Sequence, residues 1–70
     1  MSDERLTLEQ PLLSYAGAAE LLGVPESTLR QWAREGRVPV LRLGPRAHRF
    51  TRPMLEDWLR STYEEQRRFT

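Results

Sequence analysis

Seventy residues make one domain, and a chain of this length buries only about 60% of the surface its unfolded form exposes, so the core must be thin. With no cysteine the chain has neither a disulfide staple nor a Cys-based zinc site, and nothing in it reads as a signal peptide or a membrane span, so the expected compartment is cytoplasmic. The formal net charge is only +1, but it is segregated: residues 1–24 carry −3, residues 25–52 carry +5 from seven arginines against Glu26 and Glu35, and residues 53–70 carry −1.

Such a patch is an electrostatic footprint for a polyanionic partner. All eleven basic residues are arginine. The guanidinium is a planar five-donor fork suited to phosphates and guanine edges. The absence of lysine is better explained by a GC-rich genome, which favours arginine codons; codon bias does not explain the clustering.

Residues 1–11 are polar and acidic, without a defensible period, and read as a flexible N-terminal arm. Ser14 can cap a helix over Tyr15–Leu22, closed by Gly23, with an apolar face of Ala18, Leu21 and Leu22 and with Tyr15 one turn earlier. Val24 and Pro25 connect to a second helix over about 26–35 that stops at Gly36. Its inward stripe is Leu29, Trp32, Ala33 and Gly36, and its opposite stripe is Ser27, Arg30, Gln31 and Arg34. From residue 38 to 43 the period changes to that of a strand, Gly44 and Pro45 turn the chain, and residues 47–50 return as a second strand. A turn over residues 44–47 places Leu43 opposite His48, Arg42 opposite Arg49 and Leu41 opposite Phe50. Leu41, Leu43, His48 and Phe50 then face inward, Arg42 and Arg49 face outward, and Arg46 sits at the tip. A lone hairpin is marginal in water, so it must lean on the helices. Thr51 can cap a third helix that tolerates Pro53 in its first turn and carries Leu55, Trp58, Leu59, Thr62 and Tyr63 on one side. Residues 64–70 read as a charged C-terminal tail, so the folded domain is expected over residues 12–63.

Two short helices joined by two or three residues cross steeply and need small residues at the crossing. Ala19 and Gly23 meet that need, and with Leu29 they make a helix-turn-helix pattern, although an ordinary helical hairpin shares it. The polar stripe favours nucleic acid. Arginine pairs bidentately with guanine, glutamine with adenine, and serine with either or with phosphate. A helix bearing these residues suits a major groove, with its N-terminal residues nearest the bases. Ser27, Thr28, Arg30, Gln31 and Arg34 are therefore the candidate recognition-helix contacts, with Thr28 on the flank. Arg42, Arg46 and Arg49 are the candidate wing contacts, able to reach backbone or a narrow minor groove. Arg37 and Arg52 lie at element ends and have weaker claims. No nucleophile stands within sequence reach of a base, and neither a phosphate-cradling glycine run nor metal-ligand spacing occurs. The expectation is thus a non-enzyme without cofactor, metal or small-molecule ligand. His48, the single histidine, reads as a packed aromatic, and Trp32 and Trp58 as core.

The segments "AAELLGV", "STLRQWAREGRVP", "RLG" and "LEDWL" resemble the small excisionase-type DNA-binding domains, whose fold is related to the winged helix of the MerR regulators. The likeness spans about residues 12–60. It implies a mainly α fold with a small β-hairpin: three helices and a two-stranded antiparallel wing in a MerR-like winged helix-turn-helix. Pro25 stands where such domains commonly carry a capping serine, Gly17 where a capping-box glutamate is common, and His48 where tyrosine or arginine is frequent. The resemblance also implies a recombination directionality factor of a phage or mobile element. Several copies would bind side by side on attachment-site DNA, bend it, and direct a tyrosine integrase toward excision. After the DNA-binding domain nothing is expected to remain for ligand sensing or a long dimerisation helix. A small MerR-like transcriptional regulator and a winged-helix protein-interaction module are the alternatives.

Overall fold

The computed structural model describes residues 11–67. The expected N-terminal arm lies, Pro11 apart, outside the described residues, as do residues 68–70 of the expected tail. The elements run α1 (Tyr15–Leu22), α2 (Glu26–Arg34), β1 (Leu41–Gly44), β2 (Ala47–Arg49) and α3 (Arg52–Arg67). This is three helices and a two-stranded antiparallel hairpin, the winged helix-turn-helix arrangement expected from the sequence.

The punctuation of α1 and α2 is local. The Ser14 hydroxyl accepts the Gly17 N–H at 3.2 Å and so satisfies one of the orphan donors of the first turn. At the other end Gly23 turns left-handed (φ 72°), its N–H bonds the Glu20 carbonyl, and the Val24 N–H bonds the Ala19 carbonyl. The same pair of bonds closes α2: Gly36 (φ 73°) donates to Ala33, and Arg37 donates to Trp32. Both ends are Schellman closures, which need a residue free to adopt positive φ. Helix α2 begins after Pro25, whose side chain makes no capping bond. Thr51, buried, accepts the Met54 N–H at 3.2 Å and starts α3 as expected.

Ala18 and Ala19 of α1, Leu29 and Ala33 of α2, Val38, Phe50 and Leu55 form the buried core. The small side chains at Ala18, Ala19 and Ala33 let the first two helices approach closely, and Leu29 fills the space between them. Leu13, Tyr15, Leu22, Val24, Trp32, Val40 and Trp58 pack around this centre, partly buried. The Trp32 and Trp58 rings lie 5.9 Å apart, and the Trp58 Nε1–H donates to the Arg37 carbonyl at 2.9 Å. This bond ties α3 to the segment after α2.

Three expectations need correction. Leu21, Leu59 and Tyr63 are expected to face inward, but all three are exposed: Ala18 and Ala19 take the buried stripe of α1, and only Leu55 of α3 is fully buried. Helix α3 continues to Arg67, past the onset of the expected tail at residue 64. The hairpin register also differs. Gly44 opposes Ala47 as expected, but Arg42 opposes His48 and Leu41 opposes Arg49, because a bulge leaves Leu43 unpaired. Leu43 is 61% exposed instead of buried. The physical cause lies outside the hairpin. Phe50 exchanges both backbone hydrogen bonds with Leu13, at 2.7 and 2.8 Å, and this fixes which way β2 faces. An extra residue on β1 absorbs the mismatch, and a bulge adds twist where it sits. Arg42 thereby shares a face with His48 and not with Arg49.

Candidate nucleic-acid interface

The exposed stripe of α2 is as the periodicity predicts: Ser27, Arg30, Gln31 and Arg34 are all exposed, and Thr28 is partly buried. These residues are not equally free. The Arg30 Nε and Nη2 both donate to Glu26 Oε2, at 3.0 and 2.7 Å, and the guanidinium carbon lies 4.4 Å from the centre of the Tyr15 ring. That distance is within the range of a cation–π contact. The Gln31 Nε2 donates to Glu35 Oε2 at 3.0 Å. This bond, aided by the hydrogen bond and charge of Arg37 and the charge of Arg34, holds the exposed Glu35 carboxyl below its ordinary value. Arg34 makes no hydrogen bond or ion pair among the described residues.

The wing arginines divide. Arg42 leans toward α2, where its Nη2 lies 3.5 Å from the Ala33 carbonyl, at the long limit of a hydrogen bond. Arg46 occupies the two-residue loop between the strands, exposed and without a partner among the described residues. Arg49 is partly buried and donates to the His48 carbonyl at 2.7 Å.

Together the helix and the wing enclose a cleft of about 590 Å³ lined by Tyr15, Arg30, Ala33, Arg34, Arg42, Pro45, Arg46 and His48. Four arginines and no carboxylate line it. An adjoining hollow of about 240 Å³ adds Ser14, Ala16, Glu26 and Arg49 to the shared residues Tyr15, Arg30, Arg46 and His48. Through the bulge Arg42 opposes His48, and both line the cleft. Of the eight candidate contacts, the cleft gathers Arg30, Arg34, Arg42 and Arg46; Arg49 stands at its margin, and Ser27, Thr28 and Gln31 lie outside its lining.

Reasoning from the sequence missed four participants. Tyr15 and His48 form the floor: the Tyr15 hydroxyl and His48 Nδ1 are 2.8 Å apart, and the Tyr15 ring meets Phe50 edge-on at 5.4 Å. Glu26 and Glu35 each hold a side chain of the polar stripe. Their spacing of four residues was a readable signal, because i and i+4 side chains meet on a helix surface. His48, expected as a packed aromatic, is partly buried against Tyr15. Among the described residues no cluster of three or more His, Asp or Glu side chains could hold a metal, and no helix is long and apolar enough to cross a membrane.

A basic cleft beside an exposed helix bearing arginine, glutamine and serine can take a nucleic-acid backbone and present donors to base edges. No curated protein and no solved structure matches the chain. A family model, described as a helix-turn-helix domain, matches residues 12–63, from the residue before Leu13 to the last exposed aromatic of α3. The match covers both helices of the turn, the wing and most of α3, so the chain belongs to the helix-turn-helix domain family and is a sequence-specific DNA-binding domain, of a kind that is generally not enzymatic.

Proposed function

We propose that the protein is an architectural DNA-binding factor of the excisionase type. In this reading α2 enters the major groove, with Ser27, Thr28, Arg30, Gln31 and Arg34 as its contacts, and the MerR-like wing grips the neighbouring backbone or minor groove through Arg42, Arg46 and Arg49. The observation that carries the DNA-binding geometry is the cleft between α2 and the wing, with four arginines and no acid in its lining. A phosphate strand passing between the helix and the hairpin would run through it. The step from DNA binding to excision rests on the resemblance over residues 12–60.

The mechanism is mechanical. Smooth bending of a 20–30 base-pair site costs on the order of 1–6 kcal/mol. A single small module offers few contacts to offset that cost, so several copies on adjacent sites share it. Held together, they fix a curved DNA path that favours the excisive complex of a tyrosine integrase, the proposed protein partner. The test is a gel-shift and circular-permutation bending assay with the full chain on the DNA beside its gene's own integration site, followed by excision assays with the neighbouring integrase. Stepwise cooperative shifts, a bend, and stimulated excision are expected. One isolated protomer on straight DNA, or operator binding without any effect on recombination, overturns the reading in favour of a transcriptional regulator.

A further inference from the structure

Arg30 is held more firmly than a surface arginine needs to be. Two groups from two different helices fix it. Glu26, one turn earlier on α2, takes its Nε and Nη2 hydrogens on a single carboxylate oxygen. Tyr15, from α1, covers one face of the guanidinium. The Tyr15 ring is itself set by the buried Phe50 and by the His48 ring of the wing. An exposed i,i+4 ion pair alone is worth little. A platform and a side-on acceptor together do something an ion pair alone does not: they choose a direction.

The direction follows from donor counting. Arginine has five N–H donors in a fixed planar fork. Glu26 consumes the Nε–H and the Nη2–H beside it. What remains is the end of the fork, both Nη1 hydrogens and the outer hydrogen of Nη2. That end is the edge that can meet the O6 and N7 acceptors of guanine side by side. We propose that Arg30 reads a guanine through this free end, and that Glu26, with the Tyr15 ring, is a positioning residue that sets base specificity without touching DNA. This rests on the reading of α2 as the base-contacting helix. It also accounts for an acid on a face otherwise built for a polyanion: Glu26 gives up some affinity for all DNA and gains discrimination at one position.

The test uses the full chain and a randomised duplex library. Selection with the wild type yields a preference at each position, and the same is measured for Glu26→Ala, Glu26→Gln, Arg30→Ala and the Glu26→Ala/Arg30→Ala pair. Wild type should prefer guanine at one position by about fivefold to 150-fold, the span of a good bidentate pair, and Arg30→Ala should abolish that preference. Glu26→Ala should cut it by about two- to tenfold, the factor expected when a rotamer-rich side chain must be ordered on binding. Glu26→Gln keeps an acceptor oxygen while losing the charge, and should retain most of the preference. In the Arg30→Ala background, Glu26→Ala should leave that position unchanged.

Each contrary result has a separate meaning. If both Glu26 variants tighten every sequence alike and leave discrimination intact, Glu26 acts only as a repelling charge and the positioning role is overturned while base reading by Arg30 stands. If Arg30→Ala changes no position, the base-reading assignment itself fails. The Glu26 side chain is 43% exposed, so its substitution should leave the core untouched, and circular dichroism checks the fold of each variant.

Discussion

The division between reading bases and gripping phosphates can be tested most sharply at Arg46. This residue stands at the wing tip, lines the cleft, and has no acid or carbonyl partner among the described residues. Arg34, Arg42 and Arg49 also face the cleft or its margin and form no ion pair among the described residues, whereas Arg30 is already paired with Glu26 and Arg37 with Glu35. If those four arginines each neutralise one phosphate, the slope of log K against log salt is about −3.6, and affinity falls about 150-fold between 50 and 200 mM salt. Arg46→Ala leaves three, so the slope becomes about −2.7 and the loss over the same range about 40-fold. Fluorescence anisotropy with one specific and one unrelated duplex, at four or more salt concentrations, measures both. The weakening by Arg46→Ala must be the same on the two duplexes. Arg30→Ala should instead cost about 1–3 kcal/mol on the specific duplex and little on the other. Equal behaviour of the two variants, or an unchanged slope for Arg46→Ala, refutes the assignment.

Other expectations concern stability. A Cβ at Gly17, inside α1, would meet Leu13 at 3.5 Å and Ser14 at 3.7 Å, ordinary contacts at a helical position. Gly17→Ala should therefore stabilise the fold by about 0.4–1 kcal/mol, read as a rise in Tm of about 2–8 °C for a domain of this size; a fall in Tm would show that the first turn of α1 cannot take the methyl group. Tyr15→Phe removes the bond to His48 but keeps the ring beneath Arg30, so urea unfolding should show a loss of about 0.5–1.5 kcal/mol with guanine discrimination intact; lost discrimination would mean that the hydroxyl, not the ring, sets Arg30. For Glu35, whose carboxyl is held low by Gln31 first and Arg37 second, the folded-state value lies below the unfolded one. The interaction is therefore complete above the unfolded value and is lost as pH falls through the folded one. An NMR titration should place the Glu35 midpoint below that of the unfolded chain, with the Gln31 side-chain amide shifting in step, and independent movement of the two signals contradicts the pairing.

Whatever is coded within one or two turns was legible in the sequence. Ser14, Gly23, Gly36 and Thr51 mark element ends through bonds to residues three or four positions away, and each does in the structure what its chemistry suggests. The exposed stripe of α2 was legible for the same reason, since helical period alone separates Arg30 and Arg34 from Leu29 and Ala33. The hairpin register was not. Alternation of residues 41–43 with 48–50 is consistent with two pairings one residue apart, and a one-residue slip reverses every side chain. The choice was made by Leu13, which pairs with Phe50 from 37 positions upstream. Leu21 and Leu59 mislead for a related reason. They lie on apolar stripes by period, but so small a core has room for only part of each stripe, and the alanines at the α1–α2 contact claim it.

The placement of Glu26 in the first turn of α2 bears on how phosphates would be held. A helix N-terminus ordinarily attracts a phosphate through its free N–H groups and positive end. Here that end begins with Pro25, which has no N–H and whose side chain makes no capping bond, followed by Glu26 in the first turn. A phosphate approaching it would meet a carboxylate. The basic end of the helix is instead its C-terminus, at Arg34, which faces Arg42 and Arg46 across the cleft. Helix α2 is thus poorly suited to anchoring DNA by its N-terminus and well suited to presenting Arg30 and Gln31 to base edges while other groups take the backbone. In the proposed function those groups are on the wing. In the proposed reading, the bulge that exposes Leu43 and sets Arg42 on the face of His48 lets the wing supply part of the phosphate grip that α2, by its own first turn, gives up.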